Sequence, residues 1–275
     1  MIKDMLAIVE DADIAAPFLK AVSEMAEAKG AYLEVVALTP APLIAPEIAP
    51  LGGLYLPDDV LKDDDMANVE RVRAHLRDAR CDYDVIGLHN DVAWLAGDVR
   101  RTRQVADLFV VDVEEGWRTA WLRSRVIETL IHSAGTPILI LPGGRPLPPV
   151  QRIVLGWKPS PEATRALHDL ALLAEPGAAV EVVTVGKRLD ECENERDTHA
   201  EVKRHLSRHG FAAEGHWIVN DEKIEAETLT IYAQETKADL LVIGGFSHSR
   251  IRQIVLGGVT HDLVGHTELP VLISG

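Results

Sequence analysis

The sequence predicts an α/β fold of two tandem domains. Each is an open five-stranded parallel sheet of Rossmann-like type, and the two are related by an internal repeat. Three observations predict it. The first is self-similarity. "ADLFVV" at 106–111 returns as "ADLLVI" at 238–243, an offset of 132 residues (238 minus 106), and "TPILILPGG" from Thr136 is answered by "LPVLISG" from Leu269. Nearer the start of each copy, "LAIV" at 6–9 matches "IVLG" at 153–156 and "LEVVAL" at 33–38 matches "VEVVTV" at 180–185, both at an offset of 147. The second is the texture of the apolar runs. They are short, β-branched and nearly continuous, as in parallel strands covered on both faces. The third is the alternation of those runs with amphipathic segments, which implies right-handed βαβ crossovers.

Taken in order, copy one places strands at "MLAIV", "YLEVVAL", "YDVIGLH", "DLFVV" and "PILIL". Copy two places them at "RIVLGW", "AVEVVTV", "HWIV", "DLLVI" and "PVLIS". The offset falls from 147 to 132, so copy one carries about fifteen extra residues. They are placed in "TPAPLIAPEIAPLGGLYLP", residues 39–57, where five prolines and the Gly52-Gly53 pair argue for a long loop. "LPGGRPLPPV", 141–150, is read as the linker, giving domains at 1–144 and 150–275. "PEATRALHDLALLA" reads as a helix that begins near Pro161 and buries a stripe of Ala163, Ala166, Leu167, Leu170, Ala171 and Ala174. The final strands "PILIL" and "PVLIS" start with proline, which suits edge strands, and the two copies are expected to pair through them as an intramolecular pseudo-dimer.

Composition narrows the function. The 275 residues carry a net charge of −15, from 28 basic and 43 acidic side chains, and 47% of them are hydrophobic. Such acidity argues against general nucleic-acid binding, which needs cations to release counterions from phosphate. No run of about 18 apolar residues offers a membrane span. The N-terminal stretch lacks the features of a signal peptide, so a cytoplasmic protein is expected. Cys81 and Cys192 fall in different halves and read as reduced thiols.

The chemistry-bearing motif is "VIGGFSHSRIRQIVLGGVTHDLV", 242–264. It is an apolar strand followed by two glycine pairs around a basic stretch, which suggests a phosphate cradle. In an open α/β sheet a ligand sits outside the carboxyl ends of the strands, where backbone amides and a helix N-terminus supply positive potential. "ADLLVIGG", "GGVTHDLV" and "LPVLIS" resemble the universal stress protein family in its tandem two-domain form. The resemblance covers nearly the whole chain. It implies an adenine-nucleotide-hydrolase-like sheet, a stress-response role, dimerisation and, in nucleotide-binding members, a Gly-x-x-Gly, nine residues, then Gly-Ser or Gly-Thr. Those members also carry an Asp at the end of the first strand.

Copy two meets this pattern in part. Gly244 takes the first glycine, Ser247 stands at the second, and Gly257 follows residues 248–256. Gly258 takes the Ser/Thr position, with Thr260 two residues on. Lys158 stands where nucleotide binders have Asp; it cannot accept a hydrogen bond from a ribose hydroxyl but can pair with an anion. The resemblance thus implies a site for ATP, another adenine nucleotide or a small anion at Lys158, Val185, Gly244, Gly245, Ser247, Ser249, Gly257, Gly258, Val259 and Thr260. His248, Arg250 and Arg252 would add positive charge. Copy one has lost more. Asp112 and Glu115 occupy the glycine positions and Arg125 stands opposite Gly257. Asp112, Glu114 and Glu115 would repel a phosphate, while Asp11 keeps an acid opposite Lys158.

Other features have two readings each. His205 and His209, at i and i+4, have the spacing of a metal pair. They also fit a solvated helix, no third ligand is apparent, and no metal is assigned. "DDVLKDDD", 58–65, reads as a solvated helix start rather than a calcium loop. Trp117 and Trp121, at i and i+4, are placed on one helix face, as packing or as a pocket lining; Trp94 joins them in copy one. No G-x-S-x-G and no P-loop motif is present. The leading reading is a non-enzymatic stress-response protein with no catalytic residues and an anion or nucleotide site in copy two. The alternative is a protein-interaction module with both sites vestigial, using the 39–57 loop and the acidic surface. The third is a weak ATPase.

Overall fold

The computed structural model describes residues 1–41, 58–90, 92–102, 105–133, 135–186, 196–220, 225–245 and 267–275. Strands β1 (Asp4–Val9), β2 (Tyr32–Pro40), β3 (Tyr83–Asn90), β4 (Leu108–Asp112) and β5 (Ile138–Leu141) belong to the N-terminal half. Strands β6 (Val150–Gly156), β7 (Ala174–Gly186), β8 (Ala212–Val219), β9 (Leu240–Gly244) and β10 (Val271–Ser274) belong to the C-terminal half. The helices are α1 (Ala16–Lys29), α2 (Asp58–His75), α3 (Val92–Thr102), α4 (Ala120–Ser133), α5 (Pro161–Asp169), α6 (Arg196–Arg208) and α7 (Glu225–Glu235).

All ten strands lie in one sheet, ordered β3-β2-β1-β4-β5-β10-β9-β6-β7-β8. Each half repeats the same parallel order, and the halves join where β5 and β10 pair antiparallel, Ile140 opposite Val271 and Ile138 opposite Ile273. This is the pairing anticipated from the proline-led final strands. It removes one open edge from each half, because both strands are fully buried. The prolines stay useful: the carbonyls of Pro137 and Pro270 accept from the amides of Phe109 and Leu241.

The repeat also holds atom by atom. Asp107 Oδ2 accepts from the amides of Lys3 and Asp4 at 2.7 and 3.1 Å. Asp239 Oδ2, 132 residues on, accepts from Gln151 and Arg152 at 3.0 and 2.8 Å. In each half one carboxylate therefore clasps the start of the first strand. Helices cover both faces of the sheet. One face packs on Phe18, Leu19 and Val22 of α1, Val72 of α2, Leu167 of α5 and Leu206 of α6. The other packs on Leu95 of α3, Leu122, Val126 and Leu130 of α4 and Ala233 of α7.

Three expectations need correction. Helix α5 ends at Asp169, a 3-10 turn follows at Leu170–Leu172, and Ala174 already opens β7. Ala163, Ala166, Leu167 and Leu170 are buried as expected, but Ala171 is exposed. The cause is "EPG": Pro176 disfavours helix at Glu175, and Gly177 takes φ +80°. Trp117 does not share a helix face with Trp121. It precedes α4 in extended backbone and is buried, while Trp121 is exposed on the helix. Finally, β2 runs two residues into the supposed loop, with Thr39 and Pro40 opposite His89 and Asn90 of β3. Residues 42–57 lie outside the described residues.

Candidate functional site

A strand order that reverses between β1 and β4, and again between β6 and β9, leaves a crevice at the carboxyl ends of those strands. The two crevices are chemically different. In the N-terminal half the chain's own groups fill the place. Glu10, immediately after β1, is buried, and its carboxylate accepts from the Thr119 amide at 2.7 Å and the Thr119 hydroxyl at 2.6 Å. Thr119 directly precedes α4 and its carbonyl accepts from the Arg123 amide. A buried anion therefore already sits on the N-terminus of α4, where a phosphate would otherwise be favoured.

Asp11 is equally engaged. Its Oδ1 accepts from the amides of Asp13 and Ile14 at 3.0 and 3.1 Å, and its Oδ2 is paired with the Arg118 guanidinium. Burial alone would raise its pKa; the Ile14 amide, Arg118 and the Asp13 amide outweigh that and hold it below the usual carboxylate value. Asp112, at the end of β4, is buried beside the buried Arg123, whose Nε–H donates to the Asp112 carbonyl at 2.7 Å. Its Oδ1 accepts from the Val113 amide at 2.8 Å. A Cβ on Gly116 would collide with its carboxylate, and one on Gly143 would come within 2.9 Å. Burial pushes Asp112 up to about 7, against the Val113 amide, Arg123 and the Gly143 amide. Burial likewise lowers Arg123 to about 10, opposed by Asp112, Glu114 and Glu115. Arg125 forms an ion pair with Glu128 at 2.6 Å, one turn along α4.

The C-terminal crevice has no such carboxylate among the described residues. Lys158 is exposed after β6, and its Nζ lies 3.7 Å from Glu225 Oε1 at the start of α7. Val185 is buried near the end of β7. Gly244 ends β9 and Gly245 follows, so Lys158, Val185 and the first glycine pair share the carboxyl edge of β6, β7 and β9. Ser247, Ser249, Gly257, Gly258, Val259 and Thr260, with His248, Arg250 and Arg252, lie outside the described residues.

Both described glycines have a packing reason of their own. A Cβ on Gly244 would lie 2.6 Å from the Ala163 amide nitrogen, in the first turn of α5, which Ser160 caps by accepting from that amide at 3.1 Å. A Cβ on Gly245 would lie 2.8 Å from Ile131 Cγ2 of α4, and the Gly245 amide donates to the Ser274 carbonyl at 2.5 Å.

Several groups escaped sequence reading. Glu10 meets Thr119 across 109 residues, and no local signal marks that contact. Asp65 was read as part of a solvated helix start. Instead it accepts from Thr39 Oγ1 at 3.3 Å and lies 3.3 Å from His89 Nδ1. His199 of α6 is buried, stacks on Trp217 at 4.5 Å and meets Thr184 Oγ1 at 2.8 Å. That hydroxyl donates to the Trp157 carbonyl, so His199 Nε2 carries the proton. Its Nδ1 has no hydrogen-bond partner. Among the described residues, no helix is long and apolar enough to cross a membrane.

Comparison with known proteins supplies the relationship. Residues 149–274 match the model of the universal stress protein family. A universal stress protein of Synechocystis sp. is 28% identical over 149 residues, covering 53% of this chain and 49% of that protein. The chain thus spans about half the length of that curated relative. The crystal structure of a universal stress protein from Archaeoglobus fulgidus superposes with a TM-score of 0.71 at 11% identity, over 98% of this chain and 96% of that one. A putative universal stress protein from Pseudomonas aeruginosa gives 0.55 at 16% identity, over 99% and 93%. At these identities the structural likeness is one of fold.

Proposed function

We propose that this chain, which belongs to the universal stress protein family through residues 149–274, is a non-enzymatic stress-response protein that holds an adenine nucleotide or small anion in its C-terminal half alone. The halves divide as 1–144 and 150–275, and the protein acts in the cytoplasm. The observation that carries the reading is the asymmetry of the two crevices. In the N-terminal one Glu10 occupies the helix N-terminus and Arg118 ties down Asp11. In the C-terminal one an exposed cation, Lys158, stands beside the glycine frame. The ligand groups are Lys158, Val185, Gly244, Gly245, Ser247, Ser249, Gly257, Gly258, Val259 and Thr260. Lys158 selects the anion, because it offers three donors and no acceptor for a ribose hydroxyl.

The test is a search for co-purifying ligand. Protein purified without added nucleotide is denatured, the released small molecules are identified by mass spectrometry, and ATP is titrated by calorimetry. Lys158→Asp restores the acceptor and is expected to strengthen ATP binding about tenfold, the value of one added hydrogen bond to a charged group. A variant that binds ATP no better than wild type removes Lys158 from the site. A wild type that carries no ligand and ignores millimolar ATP and phosphate overturns the reading.

A further inference from the structure

We propose that His168, His205 and His209 form a binding site for a divalent transition-metal ion such as Zn²⁺ on the face of the C-terminal half that carries α5 and α6. The i, i+4 pair of the sequence acquires in the fold the third histidine it lacked. His168, near the end of α5, has its ring centroid 5.2 Å from that of His205, and His205 lies 4.5 Å from His209. Imidazoles coordinate zinc at ~2.0–2.1 Å, so two rings on one ion stand roughly 4.5–5 Å centre to centre. The observed spacings match that separation.

The helix makes the pair. The His209 amide donates to the His205 carbonyl at 3.3 Å, so both rings rise from the same side of the last turn, and Gly210 at φ +86° then ends it. His168 and His209 are exposed and His205 is half-buried. As placed, no three His, Cys, Asp or Glu side chains among the described residues converge on one point. Closure therefore requires rotation of the two exposed rings between staggered rotamers, which solvent exposure leaves free. Burial, then His209, His168 and Arg208, lowers the pKa of His205, which keeps its lone pair available at neutral pH. Arg208 is the one cation that works against the ion there, and Asp169, whose charge is coupled to His168, works for it.

A bound ion would tie the end of α5 to the end of α6. The opposite end of α5 packs under Gly244, so the staple would brace the helix on which the glycine frame rests.

Calorimetric titration of the full chain, stripped with EDTA, uses ZnCl₂ alone at pH 7.5. One ion per chain at micromolar Kd is expected, with a rise in Tm that grows with zinc concentration. His205→Ala is expected to weaken binding more than tenfold, and His168→Ala threefold or more. Alanine is a good helix former, so both variants keep their fold, which circular dichroism checks. Absence of binding at 1 mM zinc overturns the proposal, as does wild-type affinity in His205→Ala. Wild-type affinity in His168→Ala overturns the three-histidine site.

Discussion

Replacing Glu10 by alanine removes the anion that occupies the N-terminus of α4. The carboxylate is buried and accepts two short hydrogen bonds, 2.7 Å from the Thr119 amide and 2.6 Å from its hydroxyl. A hydrogen bond to a charged group contributes about 1.5–3 kcal/mol and a helix cap about 0.5–2 kcal/mol. The two terms overlap here, and Thr119 is only half-buried, so water can satisfy part of what is lost. The expected destabilisation is therefore about 2–3 kcal/mol, or roughly 5–10 °C in Tm for a chain of this size. Urea unfolding followed by circular dichroism measures it. A second arm uses the site itself: phosphate at tens of millimolar should raise the stability of Glu10→Ala more than that of wild type, because an external anion can then sit where Glu10 sat. A variant within 0.5 kcal/mol of wild type, with the same response to phosphate, would refute the idea that Glu10 plugs this crevice.

Two buried groups should tilt stability with pH in opposite directions. Asp112 titrates at about 7 in the fold against 3.8 unfolded, so the native state holds the extra proton and its contribution falls as pH rises from about 4 to 7, at ~1.4 kcal/mol per unit. His199 titrates at about 4 against 6.5, mainly through burial; its contribution is complete above 6.5 and drains as pH falls toward 4, by about 3 kcal/mol at most. Asp112→Asn should therefore become more stable relative to wild type between pH 5 and 8, and His199→Gln should lose less than wild type between pH 7 and 4.5. Parallel urea curves at the three pH values check both, and slopes unchanged by either substitution would dissociate these groups from the pH response.

All ten strands were legible, because each is a short apolar run and the copies corroborate one another. The seam was legible too, since Pro137 and Pro270 mark strands that would otherwise leave an edge. Errors arose where local pattern met a competing rule. The alanine-leucine periodicity of 163–174 continued on paper through a segment that Pro176 and Gly177 turn into strand. Trp117 and Trp121 had helical spacing, but the extended backbone at Trp117 puts one inside and the other outside. The site was legible only as a list of positions. Asp11 and Asp112 were read as repelling an anion, whereas the deeper reason is that Glu10, Arg118 and Arg123 already satisfy the crevice. Those contacts join residues about a hundred apart, and no short motif encodes them. His168 was missed for the same reason, since only the fold brings α5 beside α6.

The two crevices are not independent, because one helix touches both. The N-terminus of α4 is held by Glu10 in the closed crevice. Near its other end, Ile131 lies where a Cβ on Gly245 would be and packs beside Gly275. Gly245 opens the segment that follows β9, and its amide is fixed to the Ser274 carbonyl of the adjacent strand. A rigid helix about 20 Å long thus runs from an internal anion to the base of the glycine frame in the other half. If α4 moves as a body when its cap is lost, Glu10→Ala should alter ATP or phosphate affinity at Lys158 as well as stability. If the antiparallel β5–β10 seam holds α4 in place, only stability should change. Spatial continuity alone does not establish coupling. The distinguishing quantity is the C-terminal affinity in Glu10→Ala, measured with Lys158→Ala in the same background to separate it from an anion entering the vacated N-terminal crevice.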